Sequence, residues 1–432
     1  MSILRSLNTG AAGLKSQSDA IGVVGDNIAN VNTIGFKRQR AVFEDMLGRS
    51  IAGSTSTPEA GTGSRMARIE QMWTQGALLT TSSPTDLAVS GDGFFVVTGN
   101  VNGVDGNYYT RAGQFHIDAD GNLVNPTGMH LQGYTARVDG TMGSTVGDIT
   151  IPQVSVAANP TTRVDLAVNL DSNAAVIGAW DPLDPESTSN FSTGVSVYDS
   201  LGNAHDVTMY FRKTADNNWE WHAMVDGAEL AGGTPGVQTE AASGSMVFST
   251  DGALDTETPG ASSWSFAGGA TPAQAISFDF GTAVLTDGGT GLDGSTQFAS
   301  SSANNGVTQD GYAAGEVAGV SVGADGTVSG IFSNGQRRAL GQVVLATFAS
   351  NDGLERTGDG LWTATQASGD ALTSAAATGG SGSIVGGALE QANIDIGREF
   401  VDLIAFQRGF QANSKIIQTA DEMYGELVNL KR

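Results

Sequence analysis

From Leu4 the apolar and small side chains fall at Leu4, Leu7, Ala11, Leu14, Ser18, Ile21, Gly25 and Ile28, in alternating steps of three and four. That spacing predicts an amphipathic helix over about residues 2–28 with a coiled-coil-like seam. A stripe of the same period closes the chain at Leu403, Phe406, Phe410, Asn413, Ile417, Ala420, Tyr424 and Leu427, with one polar Asn in the seam. Two helices from opposite chain ends, each carrying an apolar stripe, are expected to bury those stripes against each other. Everything between them then reads as a long insertion.

Inside that insertion the hydrophobic period changes to two. Residues 86–97 and 108–117 are strand runs divided by turn residues, and 320–332 reads as a hairpin around Asp325-Gly326. Residues 342–348 (Gln-Val-Val-Leu-Ala-Thr-Phe) read as a buried strand, and 194–199 with 219–225 as a compact β core. Asp-Gly pairs recur, among them Asp120-Gly121, Asp226-Gly227, Asp251-Gly252 and Asp352-Gly353, and each is a hairpin candidate. Residues 50–65 and 366–387, rich in Ser, Thr, Gly and Ala, read as connectors.

The expected order is therefore nested. Residues 1–36 and 388–432 form a terminal helical domain, 37–70 and 366–387 connect, 71–145 and 304–365 form a middle β domain, and 146–303 is inserted into it as an outer β domain. The fold class is mainly β with terminal α.

Composition sharpens this. The 432 residues exceed what one core supports. The ends are neutral: residues 1–50 hold six basic and four acidic side chains and 389–432 hold five and seven, so the whole acidic excess, 34 against 10, lies in 51–388. An acidic middle argues against nucleic-acid or anionic-membrane partners and favours a self-repelling surface, whereas neutral apolar ends can approach copies of themselves. With no cysteine, disulfides, Cys-metal sites and Cys nucleophiles are excluded. No basic region followed by an apolar run opens the chain and no apolar run reaches membrane-spanning length, so neither a cleaved signal nor membrane insertion is expected.

The search for chemistry points away from catalysis. His205 precedes Asp206 without a nucleophile or further ligands nearby and reads as an exposed or half-buried strand residue. Asp118, Asp120 and Asn122 alternate like calcium-loop ligands but lack the bidentate Glu, so a hairpin turn explains them better. Trp219 and Trp221 share one strand face, for which core packing outweighs a sugar platform. No catalytic, cofactor or metal residues are expected, and the chain is read as a non-enzyme.

The first helix carries Gly10, Gly13, Gly22 and Gly25, each costing about 1 kcal/mol relative to Ala, so it is marginal alone and is expected to order on association of many copies. After it, Asn27-Ile28-Ala29-Asn30-Val31-Asn32-Thr33-Ile34-Gly35-Phe36-Lys37, preceded by Asp26, reads as a structured turn out of the helix. This segment resembles the N-terminal signature of the bacterial flagellar axial proteins of rod and hook, and residues 399–415, EFVDLIAFQRGFQANSK, are similar to that family's closing helix. Residues 198–211 with 213–219, and 340–348 with 351–354, resemble the outer and middle β domains of hook proteins in particular.

The resemblance implies a helical homopolymer, a hollow curved tube acting as a universal joint that carries torque from rod to filament. Its implied partners are other copies of itself, the distal rod protein, the hook cap, the hook-filament junction proteins and the flagellar type III export apparatus, and its implied place is the extracellular flagellum. Two other readings compete: a distal rod-type axial protein with an insertion, and an extracellular glycan-binding or adhesin module using the Trp219/Trp221 face.

Overall fold

A single helix, α1, spans Ser2–Ala29 in spite of its four glycines, and the closing helix, α2, spans Ile396–Asn429. No proline interrupts either, and the Asp395 carboxylate caps the start of α2 by accepting from the Gly397 and Arg398 N–H groups at 2.9 and 3.3 Å. The computed structural model describes residues 2–47, 61–137, 141–151, 155–260 and 262–429. The connector expected at 50–65 lies outside the described residues as far as 60. From Gly61 onward the chain is a strand, β2 (Gly61–Gln71), paired antiparallel with β1 (Gln39–Leu47).

The chain divides into two compact units, residues 1–153 with 318–331 and 337–432, and residues 154–317 with 332–336. In the first unit strands from both halves of the chain interleave. Arg337–Thr347 pairs with Phe94–Val101, with His130–Ala136 and with Leu372–Ala375. Its core is aromatic: Phe94 meets Trp73, Trp362 and Phe348 with ring centroids 5.3–5.9 Å apart. Residues 366–387 are not a plain connector as expected. They carry Leu372–Ala375 and Ser383–Gly386, the latter paired with Leu87–Ser90, and Ile384 is buried within a Ser- and Gly-rich stretch that disguised it.

The second unit is built on an antiparallel meander, Phe191–Tyr198, Ala204–Ala215, Asn218–Asp226, Gln238–Phe248 and Leu254–Pro259, beside a three-stranded sheet of Ser277–Asp279, Arg163–Asn169 and Ala303–Gln309. Trp219 and Trp221 are 0% and 1% exposed. Trp221 packs against Phe278 and Phe280 at 5.3 Å, and the Trp219 indole N–H donates to Gln297 Oε1 at 2.9 Å. Both rings are core, so neither offers the sugar platform weighed for this face.

Three local expectations resolve differently from one another. Asp118 closes a hairpin turn, accepting from the Asp120 and Asn122 N–H groups at 2.9 and 2.7 Å. Asp226-Gly227 is no tight hairpin, because Asp226 caps a 3-10 turn (Gly227–Glu229) by accepting from the Ala228 N–H at 2.8 Å, and the next strand starts only at Gln238. His205 is buried, contrary to the exposed or half-buried reading: Nδ1 lies 3.1 Å from Glu229 Oε2, Nε2 lies 3.3 Å from Asp199 Oδ2, and the ring stacks on Phe266 at 4.0 Å. Two carboxylates brought in by neighbouring loops make that burial tolerable.

One carboxylate works against this unit. Burial, with Asp279 and Asp287 nearby, pushes Glu257 up to about 6, although its Oε2 accepts the Phe280 N–H at 3.2 Å. Between the unfolded value of 4.5 and about 6 the folded chain holds a proton that the unfolded chain has lost, so stability falls as pH rises through this window and stays lower at neutral pH. Glu257→Gln keeps the acceptor and removes the charge. Allowing for its partial exposure, we expect a gain of about 1–2 kcal/mol at pH 7 that vanishes below pH ~4.5, read by calorimetry at the two pH values.

Candidate assembly site

The terminal helices pair antiparallel. Asn27 at the end of α1 reaches Glu399 at the start of α2, while Gly10 and Gly13 face Ile417 and Asn413 further along. The glycines set the closest approach: a Cβ on Gly13 would lie 2.7 Å from the Asn413 side chain, and one on Gly10 would lie 3.0 Å from Ile417 Cγ1. The β1–β2 hairpin packs against the same two helices, with Ser16 Oγ 3.3 Å from Ser64 Oγ and the Phe43 and Phe406 ring centroids 6.1 Å apart.

This pairing uses a different line of α1 from the predicted stripe. The buried positions are Gly10, Gly13, Ser16, Ala20, Val23, Val24 and Asn27, rotated one residue from the predicted one. Of the predicted positions, Ala11, Ser18 and Gly25 are exposed and Leu7, Leu14, Ile21 and Ile28 are half-buried. The reason is steric. Backbones approach where side chains are smallest, so two of the four glycines counted as helix penalties, Gly10 and Gly13, are the contact itself. On α2 the predicted positions Leu403, Phe406, Asn413 and Ile417 are half-buried and Ala420 is buried, whereas Phe410 and Tyr424 are 39% and 50% exposed. The Leu4 and Leu427 side chains lie outside the described set.

The heptad stripe of α1 stays partly uncovered, with Ala11, Ser18 and Gly25 exposed between half-buried Leu and Ile side chains, and on α2 Phe400, Val401, Ile404, Ile416 and Met423 are open, of which Val401 is 66% exposed. Between them Ser6, Ala412, Lys415, Ile416, Thr419 and Met423 line a groove of about 530 Å³. Among the described residues no helix is long and apolar enough to cross a membrane. Apolar faces this extended mark a surface built to be covered.

The turn at 27–37 fixes the helix pair to the β part of the first unit through two buried polar networks. In the first, the Asn27 Nδ2 donates to Gln39 O at 2.7 Å and Glu399 Oε2 at 3.0 Å, and its Oδ1 accepts from the Gln39 N–H at 2.8 Å. Arg38 bridges Glu399 and Asp402. Asn30 bonds back to Asp26 and accepts from Thr33 Oγ1 at 3.0 Å, tightening the turn, whereas Ala29 and Asn32 are exposed. Phe36 is buried, under the Arg356 guanidinium at 5.2 Å.

In the second network Lys37, Arg111 and Glu390 are 3%, 5% and 0% exposed. Lys37 Nζ donates to Glu390 Oε1 at 2.6 Å and to Thr74 O at 3.0 Å, and Arg111 donates to Glu390 Oε2 at 3.3 Å and Gly91 O at 2.8 Å. Burial pulls the Lys37 ammonium below its ordinary value, Glu390 opposes that pull and the Arg111 charge adds to it. Arg111, Glu390, Arg38 and Glu399 escaped sequence reasoning, since no spacing links residues 279 and 361 positions apart.

Gly35 sits at φ 71°, where its N–H donates to Glu390 O at 2.8 Å and a Cβ would meet Ala112 N at 2.5 Å. Gly35→Ala is expected to cost about 2–4 kcal/mol, combining a left-handed backbone with a backbone clash, and to lower the first unit's melting temperature in a thermal scan.

Family comparisons agree along the chain. Models described as flagella basal body rod protein, flagellar hook protein FlgE/F/G D1 domain, flagellar basal body protein FlaE D2 domain and flagellar basal body rod FlgEFG protein C-terminal match residues 7–37, 88–171, 169–312 and 385–430. The flagellar hook protein FlgE of Salmonella typhimurium is 37% identical over 99% of this chain and 100% of its own, and that of Borreliella burgdorferi is 36% identical over the same shares. The crystal structure of Helicobacter pylori flagellar hook protein FlgE2 is similar in fold, with a TM-score of 0.50 at 16% identity, over 71% of this chain and 98% of that one.

Proposed function

The chain belongs to the flagellar hook protein family, and from that premise we propose that it is the structural subunit of a hook whose copies polymerise through their terminal helices into a hollow curved tube, the universal joint between rod and filament. The observation that carries the assembly mode is the α1 heptad stripe: it has coiled-coil spacing, yet the chain's own α2 packs one residue away from it, on the glycines. A stripe on one helix and a groove on the other are different surfaces, so their contact between copies is heterologous and open-ended, as a tube requires.

In this reading the seam residues of α1 (Leu7, Ala11, Leu14, Ser18, Ile21, Gly25) contact a neighbouring copy, and the 27–37 turn holds each helix pair at a fixed attitude to its β part. The subunit leaves the cell through the flagellar type III apparatus and meets the distal rod protein, the hook cap and the junction proteins at the ends of the tube. Electron microscopy of the purified chain tests this: curved hollow tubes support it, straight stiff tubes favour the rod-type alternative, and no polymer under any condition overturns it.

A further inference from the structure

With no cysteine in the chain, methionine is its oxidant-sensitive sulfur. The methionines are unequally placed. Met129, Met209, Met224 and Met246 are buried, whereas Met46 is 37% and Met423 54% exposed, the latter the most open methionine among the described residues. Met423 also lines the α2 groove beside Ile416, Thr419 and Ala420. An unbranched thioether suits such a wall, being apolar and able to adapt to the side chain seated against it. The same openness leaves its sulfur within reach of small oxidants until the groove is covered.

We infer that Met423 is a modification site, at which oxidation to the sulfoxide decides whether a free subunit can enter the polymer. This rests on the polymer reading given above, in which the α2 groove receives the α1 stripe of another copy. The step is a two-electron oxygen transfer from hydrogen peroxide. A sulfur lone pair attacks one peroxide oxygen, the S–O bond forms, the O–O bond breaks and the other oxygen leaves as water, so that sulfur is oxidised and peroxide reduced. The product sets a strong S–O dipole against a stripe whose large side chains, Leu7, Leu14 and Ile21, offer no donor, and a polar group buried without a partner opposes the contact. In the free subunit the sulfoxide faces water and costs little, so oxidation penalises the polymer selectively. In the polymer the sulfur is covered, and assembled subunits are spared. Methionine sulfoxide reductases with a dithiol return the thioether, releasing water and a disulfide of the reductant, and the cysteine-free chain takes no part in that exchange.

The full chain is treated as a monomer with dilute hydrogen peroxide until peptide mass spectrometry shows Met423 converted, and its critical concentration for polymerisation is then measured by sedimentation. That concentration is expected to rise at least about tenfold and to return to the untreated value after incubation with sulfoxide reductases acting on both epimers. A Met423→Leu chain keeps an apolar wall without sulfur and should polymerise like the parent before and after peroxide. Melting temperature is the folding control, and Met423→Ile replaces Met423→Leu if that control fails. Preformed tubes should oxidise at Met423 at least about tenfold more slowly than monomers. An oxidised parent with an unchanged critical concentration, a leucine variant that loses polymer after peroxide as the parent does, or equal oxidation rates in tube and monomer overturns the inference alone. Absence of polymer from the untreated parent under every condition overturns the polymer reading and the inference with it.

Discussion

Glu390→Leu is expected to destabilise the first unit by about 3–5 kcal/mol, the largest single-residue effect in the molecule. It leaves Lys37 and Arg111 buried at 3% and 5% exposure without the carboxylate that faces both, and it removes the acceptor for the Gly76 N–H at 2.9 Å. The triple variant with Lys37→Met, Arg111→Met and Glu390→Leu should recover most of that loss, because replacing a whole buried ion network by apolar groups of similar volume is close to neutral. Calorimetry of the full chain reads both results. The transition of the first unit should move and that of the second should not, since none of the three residues belongs to it. Equal losses in the single and triple variants would mean that local packing, not charge, governs this junction.

The consequence reaches the helices. Lys37 closes the turn after α1, and Glu390 lies in the short strand Ala388–Glu390 just ahead of α2. A second link, Asn27 to Glu399 with Arg38, repeats the connection from the helix side. The chain ends are thus tied at two points of one turn, and loosening either frees α1 from the lattice of contacts that orders its glycine-rich sequence.

How far this was legible in the sequence follows from where the information sits. The two stripes are periodic and local, so both helices were readable, the first almost to its end residues, as were the strand runs around Phe94, Trp219 and Val343, whereas the start of the second helix at Ile396 was not placed within 388–432. The helix-to-helix line was misplaced by one residue because a heptad read from large side chains overlooks that Gly10 and Gly13 permit the closer approach. Residues 366–387 looked like a linker because composition averages over Ile384, the one buried apolar side chain of its strand. The junction of Lys37, Arg111 and Glu390 was invisible, since its members meet only through tertiary pairing, and His205 looked exposed because its carboxylate partners arrive from separate loops.

The same one-residue offset supplies the sharpest mutational contrast. Ala11, Ser18 and Gly25 lie on the stripe that α2 does not cover, and nothing lies within 4 Å of a Cβ placed on Gly25. Changing them to Glu adds charge and bulk to that stripe alone, and exposed substitutions of this kind shift monomer stability by about 0.5 kcal/mol or less each. The decisive measurement is the critical concentration of the Ala11→Glu, Ser18→Glu, Gly25→Glu chain beside that of the parent, at a salt concentration where the parent forms tubes. The account predicts a monomer that melts with the parent yet needs at least about a hundredfold higher concentration to polymerise, or never does. Tubes of normal yield from that variant would contradict it.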